Sequence, residues 1–326
     1  MSDGVIARLF DADGHDHAID LSSIELPRAL GARRLLWVDI DRQQPHALDA
    51  LDDLHGLIDL DTRARARIAE DTGRARLRAS QDRLHLTLEA LDVRDDGRLE
   101  RHEIDLVAGP DVVVSIHEGR RAAIDRFLEG IDGETRLGAL SAADLLSSLI
   151  DEVIAGYYLL AEQIEREIDD LDQRALRGRS DEDLLAALVD VRRRVGLIRR
   201  TLAPHRWALA ALARPELQAD DGLGRPWPGL ADRLEGALDA VDGAREAVLG
   251  TYDIHMGRAA QRANDVMKVL TLLSAVMLPG VVLAGTMGMN FELAFFDTPA
   301  NFLVVVGAML GLAVLVLGIA RWRRWL

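Results

Sequence analysis

Residues 269–289, VLTLLSAVMLPGVVLAGTMGM, contain no charged side chain over 21 positions. At a helical rise of about 1.5 Å per residue, such a run crosses a hydrocarbon layer about 30 Å thick. A polar interval of twelve residues, 290–301, separates it from a second uncharged run at 302–320, which is followed by Arg321-Trp322-Arg323-Arg324-Trp325-Leu326. Inside lipid a segment must satisfy its own backbone amides and carbonyls, so two runs of this kind predict a helical hairpin through a bilayer.

Basic residues orient that hairpin. Arg258, Arg262 and Lys268 precede the first run and Arg321, Arg323 and Arg324 follow the second, while the connecting segment carries only Glu292 and Asp297 as charges. Lysine and arginine accumulate on the cytoplasmic side of a membrane, so both termini are expected in the cytoplasm and the chain in the cytoplasmic (inner) membrane. Lys268 is the only lysine in the sequence. It reads either as an interfacial cation that snorkels to the headgroups or as a position whose own chemistry requires an amine.

The hairpin leaves roughly 260 residues outside the lipid, enough for a core of their own. The opening MSDGVIARLF has no basic region leading into an apolar stretch, so no cleaved signal peptide is expected. The net charge is -15 and there is no cysteine. Disulfides and thiolate metal sites are thereby excluded, and any bound ion must be held by oxygen or imidazole. Nucleic acid is not expected as a partner. Three regions are expected: an α/β domain at 1–135, a long-helix region with a stalk at 136–262, and a transmembrane hairpin at 263–326 with spans at about 269–289 and 302–320.

In the first region, residues 5–10 and 35–40 (LLWVDI) read as strands, the second a buried one. Residues 83–93, RLHLTLEALDV, alternate with period two. The pattern continues at 99–107 and 112–116, after the Asp95-Asp96-Gly97 turn and Gly109-Pro110. Residues 45–55 and 62–70 look helical. About the first 117 residues are therefore expected to form a sheet with helices packed on it. The cluster Asp11-Ala12-Asp13-Gly14-His15-Asp16-His17 is rich in hard ligands, but a calcium loop needs glycine sixth and glutamate twelfth, and here glycine is fourth and Ser22 twelfth. A solvated hairpin turn fits it better than a metal site.

From Arg120 onward the periodicity is helical. Residues 141–176 carry an apolar stripe through Leu145, Leu149, Ile150, Val153, Ile164, Ile168 and Leu171 beside a run of glutamates and aspartates. Gly178-Arg179-Ser180 interrupts the pattern, and 181–212 reads as a second long helix capped by Ser180 with Asp183 three residues on, giving an antiparallel hairpin with an acidic tip. That tip is either a solvated face or a surface that senses divalent cations through screening of its own repulsion. After Arg225-Pro226-Trp227-Pro228 the helical pattern runs from Gly229 without a proline until Pro279. About 60 residues of helix make a stalk about 90 Å long.

Gly288-Met289-Asn290 at the end of the first of two C-terminal runs, preceded by NDVMKVLT at 264–271 and by a mid-span proline, resembles the CorA family of divalent-cation transporters. Trp37-Val38-Asp39 and the stretch from Arg199-Arg200 to Pro204-His205-Arg206 are similar to weaker motifs of that family and its ZntB branch. The resemblance follows the whole chain in element order and is specific over 264–291. It implies an α+β cytoplasmic domain with a long helical hairpin, a stalk helix and two C-terminal transmembrane helices, assembled as a funnel-shaped homopentamer.

A single two-helix hairpin cannot enclose a water-filled path, so conduction requires several copies around an axis. Read by 3–4 spacing, the face of the first span that would line it is Asn264, Met267, Thr271, Ser274, Leu278, Val281, Gly285 and Gly288. By resemblance Met267, Leu270 and Leu278 match apolar gate positions. The same resemblance implies a selectivity filter made of rings of Asn290 amide oxygens and Gly288 carbonyls, with Met289 between them. Magnesium holds its waters tightly, so such neutral dipoles suit the hydrated ion through its outer shell. Glu292 and Asp297 beside the mouth would raise the local cation concentration. Gly307 and Gly311 in the second span make a small-xxx-small pair suited to helix packing.

The sequence also departs from the family pattern. The acidic residue expected at the start of the stalk aligns at Gly229, which leaves Asp232 as the nearest carboxylate for a regulatory ion. Met287 stands where magnesium-transporting members usually carry tyrosine, and Val281 where they carry a pore threonine. The loop FELAFFDTPANF has neither branch's usual motif, although Phe291-Glu292 follows the CorA form. Mg2+ uptake, with Co2+ or Ni2+ as further cargo, is the leading expectation. A ZntB-like Zn2+ transporter and a non-conducting membrane-anchored sensor are the alternatives. Beyond the transported and regulatory cation no cofactor is expected. An enzyme is not expected either, because the soluble part carries no nucleophile–base set, phosphate loop or metal triad.

Overall fold

Two apolar strands lie side by side at the centre of the soluble unit. β3 (Arg34–Asp41) and β7 (Val112–His117) run parallel, from Leu36 beside Val112 to Asp41 beside His117. All of β7 and all but the two end residues of β3 are buried, as continuous apolar runs predict for strands covered on both faces. β1 (Val5–Asp11) and the two-residue β2 (His17–Ala18) extend the sheet on one side. β6 (Leu99–Ala108), β5 (Arg83–Val93) and β4 (Arg76–Ser80) extend it on the other, giving the order β2-β1-β3-β7-β6-β5-β4 with every pair but β3–β7 antiparallel.

This computed structural model describes residues 4–11, 17–21, 30, 34–45, 47–54, 57–58, 68, 73–80, 83–119, 122–131, 141–177, 181–212, 229–289 and 299–322. The chain forms two compact units, Met1–Thr251 and Tyr252–Leu326. The acid-rich segment after β1 falls outside the described residues at 12–16, as does the Ser180 cap. Of the helix expected at 62–70 only Ile68 is described, and the one expected at 45–55 shrinks to a 3-10 turn, Ala47–Asp49, and α1 (Ala50–Asp53).

Period two divides the sheet's side chains between two cores. Phe10, Leu35, Trp37, Leu86, Leu88, Ile104 and Val113 face a helical layer, and Leu36, Val38, Ile40, Val114 and Ile116 face Leu51, Leu54, Ile58 and Ile68. A polar chain is embedded on the helical side. The Trp37 indole N–H donates to Ser115 Oγ at 3.0 Å, and the Ser115 hydroxyl donates to Asp39 Oδ1 at 2.6 Å. His117 Nε2 lies 3.3 Å from the other Asp39 oxygen.

The helical layer comprises α2 (Ala122–Ile131), α3 (Ala142–Arg177), α4 (Asp181–Leu202), α5 (His205–Leu212) and the first part of α6 (Leu230–Met287). Ser141 and Asp144 cap α3 reciprocally: the Asp144 amide donates to Ser141 Oγ at 3.2 Å and the Ser141 amide to Asp144 Oδ2 at 3.0 Å. The single helix expected over 181–212 is two helices. Pro204 has no N–H and its ring would strike the carbonyl four residues back, so α4 stops at Leu202. The chain restarts with Arg206 and Trp207 amides bonded to the Ala203 and Pro204 carbonyls, in the first turn where a proline costs nothing.

The break aims His205 at the sheet. Strand β4 pairs with β5 only as far as Thr87, so the Glu89 backbone has no strand partner on that side. Its amide donates to His205 Nε2 at 3.0 Å and its carbonyl accepts the Tyr157 hydroxyl at 2.6 Å, while His205 Nδ1 lies 3.0 Å from the Leu202 carbonyl it donates to. Burial lowers the His205 pKa to about 4, and burial raises that of Tyr157 well above its usual value. Both groups are therefore neutral in the folded chain at neutral pH.

Candidate ion-conduction face

Helix α6 and helix α7 (Pro299–Trp322) each contain a stretch long and apolar enough to cross a membrane. α6 is continuous through Pro279, the only proline inside it. Between 268 and 283 its half-buried residues are Lys268, Leu272, Val276, Pro279, Gly280 and Leu283, a stripe at 3–4 spacing. Met309 of α7 lies against this stripe, its methyl 2.9 Å from where a Cβ on Gly280 would sit. The close approach is thus made at Gly280, and Gly307 and Gly311 have open space where side chains would be.

The other side of α6 is bare. Asn264, Met267, Thr271, Ser274, Leu278, Val281, Gly285 and Gly288 are all exposed in the single chain, as is Leu270. At about 100° per residue their mean direction lies about 150° round the helix from the Gly280 stripe. One face of α6 therefore meets α7, and the opposite face carries the residues expected to line a water path. Its chemistry is graded. Met267, Leu270 and Leu278 are apolar, whereas Thr271 donates its hydroxyl to the Met267 carbonyl at 2.7 Å, which leaves the oxygen's lone pairs free to accept. Below this face Lys268 pairs with Asp265 at 2.9 Å, and Gln261 donates to the same carboxylate at 3.1 Å.

α6 ends at the Gly-Met-Asn sequence. The Gly288 amide closes the last helical bond on Ala284 at 3.0 Å, and Met289 bonds the Thr286 carbonyl at 3.3 Å. The carbonyls of a final turn have no intrahelical amide to accept and carry the negative end of the helix dipole, which favours a cation just beyond Gly288. Asn290, Glu292 and Asp297 lie outside the described residues.

Elsewhere, Asp232 is exposed in the first turn of α6. Among the described residues no group of three or more histidine, aspartate or glutamate side chains is placed to hold a metal ion. The soluble unit also has a polar cleft of about 750 Å3 lined by Arg42, Arg101, His102, Glu103 and Glu118 among others. Arg42 spans it, 3.1 Å from Glu118 and 4.0 Å from Glu103, so its charges are largely matched internally. Sequence reasoning assigned no role to Gly280, Tyr157 or His205. The Pro204-His205 pair was the available signal for the last.

The family model described as "CorA-like Mg2+ transporter protein" matches residues 32–320. The sequence is 28% identical over 231 residues to the cobalt/magnesium transport protein CorA of Thermotoga maritima, covering 70% of this chain and 66% of that protein, just under two thirds of its length. Among solved structures, the complete CorA magnesium transporter from Methanocaldococcus jannaschii superposes with a TM-score of 0.74 at 19% identity over 100% of both chains. The ZntB cytoplasmic domain from Vibrio parahaemolyticus does so with a TM-score of 0.61 at 15% identity, over 79% of this chain and 99% of that one. At these identities the structural likeness is one of fold.

Proposed function

The chain belongs to the CorA-like Mg2+ transporter family, and on that footing we propose that it conducts Mg2+ into the cytoplasm as a homopentamer. Five copies of α6 enclose the path, the α7 helices lie outside them, and both termini are cytoplasmic. The observation that carries this reading is the exposed stripe from Asn264 to Gly288, opposite the face that meets α7. A lone helix gains nothing from a face of threonine, serine, asparagine and glycine turned toward lipid. Facing an axis, the same face lines a narrow wet path with apolar constrictions.

In this arrangement the Asn290 amide oxygens and the Gly288 carbonyls accept hydrogen bonds from the waters of a hydrated divalent ion, with Met289 between them. Neutral dipoles attract the ion without trapping it as a carboxylate ring would. Glu292 and Asp297 gather cations at the mouth, and Met267, Leu270 and Leu278 close the path when conduction stops. Asp232 is the nearest carboxylate available for regulation by a cytoplasmic ion. No catalytic step is assigned, and uptake needs no ATP. At about 2.3 kcal/mol per charge per 100 mV, a divalent ion entering a negative interior gains about 4.6 kcal/mol, roughly a thousandfold in concentration.

Flux into proteoliposomes with an imposed potential tests the proposal. Mg2+ should enter, and Asn290→Ala should reduce or abolish that entry. Intact flux in the variant, or no Mg2+ flux in the parent, would overturn it. A second reading, zinc as the cargo, draws on Met287 in the place of the usual tyrosine. It predicts Zn2+ entry that exceeds Mg2+ entry in the same vesicles, with or without a pH gradient. No flux of any divalent ion would leave a membrane-anchored sensor.

A further inference from the structure

The half-buried stripes of the two hairpin helices end together. On α7 the stripe is Val305, Val306, Met309, Ala313, Val316 and Ala320, the last only 5% exposed. On α6 it begins at Lys268, since residues 260–267 are all exposed. Met309 lies against Gly280. Lys268 is twelve residues before that contact and Arg321 twelve after it, so in an antiparallel pair both stand about 18 Å from it toward the same end.

That end of the hairpin collects cations. Arg258, Arg262 and Lys268 border the first span and Arg321, Arg323 and Arg324 the second, against one carboxylate, Asp265, in a chain whose net charge is -15. The carboxylate is already engaged: it lies 2.9 Å from the Lys268 amine and accepts from the Gln261 amide at 3.1 Å. Arg321 is exposed, and among the described residues it has no partner of opposite charge. Beside it Trp322 is 84% exposed, about 200° round α7 from buried Ala320 and so turned away from α6. The segment joining the spans at the other end, 290–298, carries Glu292 and Asp297 and no cation.

A bare guanidinium at the edge of a hydrocarbon layer, with an indole beside it on the outer side, suits a phosphodiester whose acyl chains already lie in that layer. Indoles settle at headgroup depth, and a guanidinium forks two phosphate oxygens. We propose that this end of the hairpin holds the headgroup of an anionic phospholipid, its phosphate on Arg321 and its chains along the outer side of α7 beside Trp322. A zwitterionic headgroup would bring its own ammonium into a field of six cations, whereas an anionic one does not. Asp265 sets the strength of the site, because it occupies Lys268 and repels the phosphate. The site is on the α7 side of α6, opposite Met267 and Leu270, so a bound lipid stays outside the path proposed above. It needs only a hairpin that crosses a bilayer, and neither conduction nor a pentamer, so its failure and that of the transport reading are separable.

Tryptophan quenching of the full chain in vesicles tests the site, since of the five tryptophans only Trp322 and Trp325 border a span. Brominated phosphatidylglycerol and brominated phosphatidylcholine are compared as quenchers at equal mole fraction. The parent should prefer phosphatidylglycerol. Each cation at a membrane surface contributes about a factor of five, so Arg321→Gln should lower the preference about fivefold. Asp265→Asn, which frees Lys268, should raise it by a similar factor. Both side chains are exposed, so neither substitution puts the fold at stake. Equal quenching by the two lipids in the parent would overturn the site. So would a preference that neither substitution changes, which would show a diffuse attraction to the whole surface. Loss of the preference on adding inorganic phosphate at matched ionic strength would also overturn it, because the ligand would then be the free anion and not the lipid.

Discussion

His205 makes the stability of the soluble unit depend on pH in a way that can be worked out beforehand. It accepts the Glu89 amide hydrogen in a fully buried site and is held near pKa 4, against 6.5 for a free imidazole. The unfolded chain therefore binds more protons than the folded one between pH 6.5 and 4, and stability falls as pH falls through that window. It is complete above pH 6.5 and changes no further from this source below about pH 4. At 1.36 kcal/mol per unit, the difference of about 2.5 units amounts to about 3 kcal/mol. Urea unfolding of the full chain in detergent micelles, followed by near-ultraviolet circular dichroism from pH 8 to 4, reads it. His205→Gln keeps an acceptor for Glu89 and does not titrate, so carboxylate losses common to both proteins cancel. The parent should lose about 3 kcal/mol more than the variant between pH 7 and 4. Parallel pH profiles would refute the assignment of a neutral, amide-capping imidazole.

Two further substitutions probe close packing and the buried polar chain. Gly280→Leu forces a side chain into Met309 and should cost about 1–3 kcal/mol of hairpin stability in a thermal-shift assay, recovered by Met309→Ala. Asp39→Ala removes the acceptor shared by Ser115 and His117 inside the sheet, and should lower the unfolding free energy by about 2–4 kcal/mol without changing the lipid-facing hairpin.

The sequence disclosed most where a single periodicity ruled. LLWVDI and RLHLTLEALDV declared strands β3 and β5, because a residue's place in the alternation decides which core it enters. The two uncharged runs declared the hairpin because lipid admits nothing else. It disclosed less where tertiary partners decide. β4, RLRAS, has too little apolar content to stand out and forms only because β5 offers an edge. The break at Pro204 was written in the chain, yet the apolar periodicity continues across it into α5, so 181–212 read as one helix. His205 looked like a motif residue of no stated role, since what it caps, the Glu89 amide, is 116 positions away. For the conduction face, 3–4 spacing named the positions and the half-buried stripe through Gly280 shows which side α7 occupies. Spacing alone does not distinguish Gly280 from Gly307, because that depends on where Met309 lies.

Cysteine scanning of α6 in this cysteine-free chain measures the arrangement directly. Single cysteines from 264 to 288 are exposed to a membrane-impermeant, charged thiol reagent in proteoliposomes while Mg2+ flux is followed. Modification and block should recur at 267, 271, 274, 278, 281 and 285, and spare 272, 276 and 283. Reaction with no 3–4 recurrence, or block centred on the Gly280 stripe, would mean that the exposed face of α6 meets lipid and that water passes elsewhere or not at all.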